Sequence, residues 1–171
     1  KETLLMNSSS FNNCICNKKS QQMIQKEFDS SSAIERKKLI KKCIQNLSLI
    51  VQNKTGSIFL QNLVEFFEPK HRSSVLNNLI KNLYFFCVDK FANRFVQVFI
   101  SSVKCLDEEL KICLILKPKF EVLSVHSIGV YILIEILNTF SFMGCLELCQ
   151  FIDSFLIQLL TNKDGLLLAK K

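Results

Sequence analysis

The sequence predicts an all-α protein built from stacked helical repeats, an α-solenoid. The first observation behind this prediction is that the 171 residues are 49% hydrophobic but include only 4 glycines and 2 prolines, which leaves little material for hairpin turns. The other two are a small residue that recurs about every 36 positions and apolar residues at fixed helical spacings around it. We expect one domain over residues 1–171, cut from a longer repeat array.

One small residue, which we call the anchor, marks each repeat. Starting from Gly56, small residues recur at intervals of 36 or 37 positions in both directions along the chain. The five anchors are Ser20, Gly56, Ala92, Gly129 and Gly165. In NKTGSIFLQ (53–61) and DKFANRFVQ (89–97) a glutamine follows the anchor by five positions. A fixed period of this length predicts repeated supersecondary units.

Apolar residues at fixed distances from the anchor predict two helices in each unit. Fourteen of the fifteen positions that lie nine, six and five residues before the anchors are apolar. All ten positions three and four residues after the anchors are apolar too. These spacings put the apolar side chains on one face of a helix before the anchor and one face of a second helix after it. We expect both faces to be buried.

A third helical pattern lies between successive anchors and is clearest at residues 33–47. Its predicted apolar stripe comprises Ile34, Leu39, Ile40, Cys43, Ile44 and Leu47. We interpret Lys37, Lys38, Lys41 and Lys42, on the other faces, as a solvated surface. A three-helix unit of about 36 residues cannot bury its apolar face alone, so we expect about five units to stack.

Several kinds of function find no support in the sequence. Eight cysteines lie mostly within apolar runs and form no CxxC pair, so we interpret them as reduced, buried thiols of an intracellular protein. His71 and His126 lie near no cysteine pair, and we expect no metal and no cofactor. The apolar segment 120–137 contains Glu121 and Glu135, so we expect no membrane span. Glycine-rich phosphate loops, HExxH and GxSxG motifs do not occur, and we expect no enzymatic activity.

The helix after the anchor carries a second set of repeated positions, one, two and five residues beyond it. KTGSIFLQ and KFANRFVQ resemble the recognition helix of Pumilio (PUF) repeats, which has a small residue, then Asn, Ser or Cys, an aromatic residue or Arg, two apolar residues and Gln. The resemblance covers the chain from about Phe11 to Lys170. It implies a right-handed α-solenoid of three-helix PUF-type repeats that binds single-stranded RNA, one base per repeat.

The resemblance also implies roles for single residues. In the family, two side chains one helical turn apart contact the Watson–Crick edge of a base, and a third stacks on it. By this pattern Asn93 and Gln97 resemble a uracil-reading pair, and Ser57 and Gln61 resemble an adenine-reading pair. Because the family binds RNA antiparallel to the repeat order, the implied core is 5′-UA-3′. The implied stacking residues are Arg94, Ile58, Tyr131 and Gln22.

The outer units depart from the family pattern. Gln21 and Gln25 keep the glutamine but place a long amide where a short side chain is typical, so the resemblance implies a base-edge contact for them without indicating which base. Val130 and Ile134 cannot donate or accept a hydrogen bond with their side chains. The last two units are therefore interpreted as structural or non-specific.

Charge and resemblance leave three functional classes open. A net charge of +7 and a pI near 9.0 suit a polyanionic partner. The first class is a cytoplasmic regulator that reads mRNA 3′ untranslated regions. The second is a divergent nucleolar relative that binds rRNA by charge and shape. The third is a helical scaffold whose apolar reading positions bind a protein partner.

Overall fold

The structure, a computed structural model, describes residue 3 and residues 6–171, and its regular elements there are all helical, as predicted. The start of the predicted domain, at residues 1, 2, 4 and 5, lies outside the described residues. The α-helices are α1 (Ser8–Cys16), α2 (Lys18–Ser30), α3 (Ala33–Gln45), α4 (Leu47–Val51), α5 (Lys54–Leu63), α6 (Pro69–Leu79), α7 (Leu83–Val88), α8 (Ala92–Ser101), α9 (Leu106–Leu116), α10 (Phe120–Ser124), α11 (Val130–Thr139), α12 (Phe142–Thr161) and α13 (Gly165–Ala169). Short 3-10 turns cover Val64–Phe66, Ile80–Asn82 and Lys117–Lys119.

The helices form two compact units, residues 1–81 and residues 82–171. In the first unit α5 packs on α1, α2 and α4, while α3 packs on α6. In the second unit α8 packs on α7 and α11, while α12 packs on α9 and α13. Each helix that follows an anchor is thus covered by its neighbours along the chain. The single domain over residues 1–171 stays a prediction.

The predicted pair of helices around the anchor is present in successive repeats. The pairs are α1 with α2, α4 with α5, α7 with α8, and α10 with α11. In the three complete central pairs, all nine positions that lie nine, six and five residues before the anchor are buried. The predicted burial is wrong at Leu156 and Leu160, which are 41% and 53% exposed because no helix among the described residues covers that side of α12. It is also wrong at Met23, since the neighbours of α2 cover Ile24 and Phe28 instead.

The small anchors are explained by the close approach of the helix that precedes them. A Cβ atom added to Gly56 would lie 2.4 Å from the carbonyl oxygen of Ile50 in α4. A Cβ atom on Gly165 would lie 2.8 Å from the carbonyl oxygen of Leu159. Ala92, the one alanine among the anchors, is fully buried. The repeat therefore keeps a small residue at this position because larger side chains would collide with the backbone of the helix before it.

A second repeated residue lies three positions before each anchor and caps the helix that follows. Its side chain accepts hydrogen bonds from the backbone amides two and three residues further on. These capping residues are Asn17, Asn53, Asp89, His126 and Asn162. In α2 and α5 both amides belong to the first turn of the helix, and in the other repeats one or both lie in the turn that leads directly into it. Because amides at the start of a helix have no partner within it, each of these side chains satisfies two of them.

His126 accepts the two capping hydrogen bonds with a ring nitrogen, where the other repeats use a side-chain oxygen of asparagine or aspartate. Its Nδ1 accepts from the amides of Ile128 at 3.2 Å and Gly129 at 3.0 Å. We expect His126→Ala to lower the free energy of unfolding by about 1 kcal/mol through loss of this cap. His126→Asn restores the residue of the other repeats and should retain most of the stability. Urea titrations followed by circular dichroism check this, and equal losses in the two variants would contradict the capping role.

The third helix of the unit follows the prediction in α3, α6 and α9 but not at the end of the chain. Ten positions before their anchors, Asn46, Asn82 and Lys119 leave the helical conformation, with ψ angles of 16°, 13° and 3°. At the corresponding position Phe155 stacks on Phe151, with ring centroids 4.7 Å apart, and the helix continues. The predicted two helices are therefore one 20-residue helix, α12.

Helix α12 is the one helix in the described part of the chain that is long and apolar enough, by length and composition, to span a membrane. It packs on α9, α11 and α13 through buried residues that include Leu148 and Leu159, while Phe142, Ile157 and Leu160 are exposed. The segment 120–137, where the sequence made us consider a span, is divided between α10 and α11.

Two sequence interpretations of the first unit need correction. Ile34, assigned to the buried stripe of α3, is 68% exposed, because at 100° per residue it lies on the lysine-bearing side of the helix, opposite Cys43. Lys42, assigned to the solvated surface, donates hydrogen bonds to the carbonyl oxygens of Thr3 at 2.9 Å and Met6 at 2.6 Å. Its ammonium group also lies 4.7 Å from the ring centroid of Phe11.

All eight cysteines are free thiols, as expected, but they differ in exposure. Burial raises the pKa of Cys43 and Cys87 well above the ordinary thiol value and that of Cys113 to about 12. Cys105 is exposed, against the interpretation of buried thiols, because it precedes the first turn of α9. Among the described residues, no group of three or more His, Cys, Asp or Glu side chains could hold a metal ion.

Candidate nucleic-acid interface

The helices that follow the anchors present the same three positions with the same exposure. The residue one after the anchor is buried or partly buried, the residue two after it is exposed, and the residue five after it is partly buried in all but the last helix. The exposed second residues are Gln22, Ile58, Arg94, Tyr131 and Leu167. Each of these helices except the last thus offers one exposed side chain beside a recessed pair, an arrangement that could stack on a base and contact its edge.

In α8 the three predicted side chains form one hydrogen-bonded chain. Arg94 Nη1 donates to Gln97 Oε1 at 3.0 Å, and Gln97 Nε2 donates to Asn93 Oδ1 at 2.5 Å. Asn93, which is 4% exposed, donates through Nδ2 to the carbonyl oxygens of Cys87 and Ile128, the latter at 3.1 Å. Because both carbonyls belong to the backbone, the orientation of the whole chain is set by the fold.

This chain decides which polar atoms of α8 remain for a ligand. Both N–H groups of Asn93 are used by backbone carbonyls, so its remaining capacity is the second lone pair of Oδ1. Gln97 retains one N–H group and one lone pair on Oε1. Gln97 therefore presents a donor and an acceptor side by side, and Asn93 chiefly orients it.

The first unit repeats the arrangement in α5. Gln61 Nε2 donates to Ser57 Oγ at 3.2 Å, and Ser57 is 2% exposed. Ile58 is 49% exposed, in the position that Arg94 occupies in α8. An isoleucine side chain offers an apolar surface but no charge, so this helix has the same recessed pair beside an uncharged exposed side chain.

The glutamines of α2 are differently placed. Gln25 Nε2 donates to the carboxylate of Asp29 at 2.9 Å, and Gln25 Oε1 accepts from Asn62 in α5 at 3.5 Å. Gln25 is thus held within the first unit, next to a negative charge that opposes an RNA strand. Gln22 is exposed and Gln21 partly buried.

The helices α11 and α13 carry different side chains at the three repeated positions. Tyr131 is 46% exposed and presents a ring, but its neighbours Val130 and Ile134 offer only apolar surface. In α13 the exposed position is Leu167 and the position five after the anchor is Lys170. A tyrosine ring can stack without reading a sequence, and a lysine can contact a phosphate.

A repeated lysine was missed in the sequence analysis and lies at the start of the same helices. Two positions before the anchor the residue is Lys18, Lys54, Lys90 or Lys163 in four of the five repeats, and all four lysines are exposed. Cations at a helix N-terminus oppose the helix dipole, so helix stability does not explain them. A search for charged residues at the 36-residue period would have revealed these lysines.

Comparison with known proteins agrees with the repeat assignment. Residues 46–80 and 82–102 match the model of the Pumilio-family RNA binding repeat. These segments hold the helix pairs α4 with α5 and α7 with α8, together with α6. Comparison with curated proteins finds no match to the chain.

Solved structures of similar fold are RNA-binding domains with low sequence identity. The Puf4 RNA binding domain bound to the HO endonuclease RNA 3′ UTR recognition sequence matches with a TM-score of 0.85 at 15% identity, over 91% of this chain and 48% of that one. PUF-8 in complex with PBE-RNA matches with a TM-score of 0.81 at 14% identity, over 95% and 49%. PUF-6 in complex with 5BE13 RNA matches with a TM-score of 0.80 at 18% identity, over 98% and 47%.

The chain spans about half the length of these structures. Two segments of the chain thus match the Pumilio-family RNA binding repeat, and the chain shares the α-solenoid fold of these solved RNA-binding domains.

Proposed function

We propose that the chain binds single-stranded RNA through the exposed side chains of the helices that follow its anchors. The observation that supports this most strongly is the hydrogen-bonded chain of Arg94, Gln97 and Asn93 in α8. It holds a donor and an acceptor next to a guanidinium plane, and these are the groups that contact the edge and the face of an unstacked base.

The proposed reading is one base at each of two helices. Gln97, oriented by Asn93, contacts uracil, while Arg94 stacks on it. Gln61, oriented by Ser57, contacts adenine, while Ile58 covers it. The order of the repeats in the chain and the antiparallel binding of the resembled family give the core 5′-UA-3′. Tyr131 and Gln22 stack on flanking bases, and Gln21 and Gln25 contribute little base preference.

Binding strength in this proposal comes largely from phosphate contacts. The lysines two positions before the anchors, Lys18, Lys54, Lys90 and Lys163, are exposed on the helices that carry the reading positions or directly before them. Neutralising phosphates releases counterions, so affinity should fall steeply with salt whatever the RNA sequence. We propose that such binding serves post-transcriptional regulation of mRNA in the cytoplasm, through 3′ untranslated regions.

Two short RNAs that differ only in a central UA or CG test the proposal. Fluorescence anisotropy at two salt concentrations would compare wild type with Asn93→Ala/Gln97→Ala and with Gln97→Ala, which leaves the backbone contacts of Asn93 intact. We expect wild type to prefer UA about tenfold, and both variants to lose most of this preference, because the edge hydrogen bonds disappear. Gln150→Ala/Gln158→Ala, which removes two exposed amides of α12, should change nothing.

The same titrations separate the alternatives. Equal, salt-sensitive binding of UA and CG by wild type would contradict base reading and support a nucleolar relative that holds rRNA by charge. Failure to bind either RNA would contradict RNA binding altogether and support the protein scaffold. Circular dichroism of each variant confirms that the helices are intact.

A further inference from the structure

The helices α3 and α6 of the first unit border a cavity of about 600 Å³. Its lining includes four lysines and two isoleucines, and we call this cavity the lysine groove. These residues are Lys37, Lys38, Lys41, Lys70, Ile34 and Ile44. Neither α3 nor α6 carries a proposed base-reading position, so the groove is separate from the residues proposed to contact RNA.

The groove carries excess positive charge. Glu68 pairs with Lys37 at 2.6 Å and with Lys70 at 3.2 Å, which places one carboxylate between two ammonium groups. Lys38 and Lys41 have no ion-pair partner among the residues that the structure describes. Lysines three and four positions apart on a helix repel each other, so α3 is destabilised by Lys37, Lys38 and Lys41. A ligand with several carboxylates would relieve this repulsion.

The groove also offers an apolar surface among these charges. Ile34 is 68% exposed on the side of α3 that carries the lysines, away from the core of the unit. Ile44 is buried but contributes to the lining. An aliphatic side chain seated against both isoleucines would remove exposed apolar surface from water, which favours binding. The aliphatic stems of the lysines extend this surface.

Both features together favour a peptide over a nucleic acid. A phosphate backbone would use the lysines but brings no aliphatic group for Ile34. The one aromatic ring among the lining residues is that of His71, which is only 7% exposed and whose Nδ1 accepts from the amide of Glu68, so the described groove presents no exposed ring on which an unstacked base could stack. An acidic peptide with an aliphatic residue satisfies the charges and the apolar surface at once.

We propose that the lysine groove binds an acidic peptide segment of a partner protein, with one aliphatic side chain against Ile34 and Ile44 and carboxylates on Lys38 and Lys41. This inference does not depend on RNA binding. It assigns to the first unit a second surface, by which a protein bound to RNA would recruit another protein.

A labelled peptide of Asp and Glu residues around a central leucine tests the proposal by fluorescence anisotropy. A matched peptide with serine in place of leucine measures the apolar contribution. We expect Lys38→Glu/Lys41→Glu to weaken binding of the leucine peptide about tenfold, because two attractions become repulsions. Lys26→Glu/Lys81→Glu makes the same change of charge at exposed lysines of the same unit outside the groove, and should have a much smaller effect.

A second pair of variants isolates the apolar contact. Ile34→Ser and Leu49→Ser each replace a largely exposed aliphatic residue, 68% and 65% exposed, so both should fold. We expect only Ile34→Ser to weaken the leucine peptide, down to the affinity of the serine peptide. Equal binding of both peptides, or equal loss with both charge-reversal pairs, would overturn the proposal in favour of non-specific attraction. Weakened RNA binding by Lys38→Glu/Lys41→Glu with no peptide binding would assign the groove to RNA instead.

Discussion

We expect Phe95→Ala to lower the free energy of unfolding by about 3–5 kcal/mol, the largest loss among the substitutions considered. Phe95 follows its anchor by three positions, is fully buried, and its ring lies 6.2 Å from that of Phe99, centroid to centroid. It belongs to α8, which packs on α7 and α11. Removing the ring takes away its apolar contacts and leaves a cavity that these helices can close only in part.

Denaturant titration followed by circular dichroism measures this loss, and the same unit offers a control. Phe85, in α7, is 63% exposed, and its ring lies beside that of Tyr84. Phe85→Ala should therefore change the free energy of unfolding by no more than about 0.5 kcal/mol. Similar losses in the two variants would contradict the full burial of Phe95 in α8.

Gly56→Ala is expected to cost about 1–3 kcal/mol, although alanine usually stabilises a helix relative to glycine. The new Cβ atom would lie 2.4 Å from the carbonyl oxygen of Ile50 and 2.8 Å from its Cγ2. A backbone oxygen cannot rotate away, so α4 and α5 would have to separate. The substitution thus tests whether the small anchor exists for close packing of the two helices.

Gly129→Ala is the matched control in the second unit. There the nearest atom to an added Cβ is the Cδ2 of Leu123, at 2.8 Å, and the nearest backbone atom is 3.4 Å away. Gly129 precedes α11 with φ −62° and ψ −33°, which alanine adopts without strain. Because the end of a leucine side chain can shift and alanine lowers the entropy of the unfolded chain, we expect a net change within about 1 kcal/mol. A larger loss for Gly129→Ala than for Gly56→Ala would contradict the explanation.

The fold could be predicted from sequence because its signals are local and repeated. The columns around Gly56 and Ala92 place apolar residues at helical spacing, and the structure buries them. Prediction failed where burial depends on what lies beyond the helix itself. Leu156 and Leu160 match the buried column but are exposed, since no described helix covers them. Ile34 was assigned to the buried stripe of α3, although its position in the sequence places it on the opposite side of that helix from Cys43.

The candidate interface was predicted less completely. The positions of Asn93, Arg94 and Gln97 on one helix follow from the spacing, as do those of Ser57 and Gln61. The spacing does not reveal that both N–H groups of Asn93 are used by backbone carbonyls, because one of these belongs to Ile128 in the next repeat. It also does not reveal that Gln25 is held by Asp29 and Asn62.

The sequence by itself determined the period, the helix pairs, most of the core and the side chains that face outward from the helices after the anchors. These depend on residues within about one helical turn of each other, whose relative directions are set by the geometry of the helix. Only the tertiary structure decided which carbonyls orient Asn93, how closely α4 approaches Gly56, and that α3 and α6 border the lysine groove. These depend on distances between separate helices, which side-chain packing sets and local spacing does not contain.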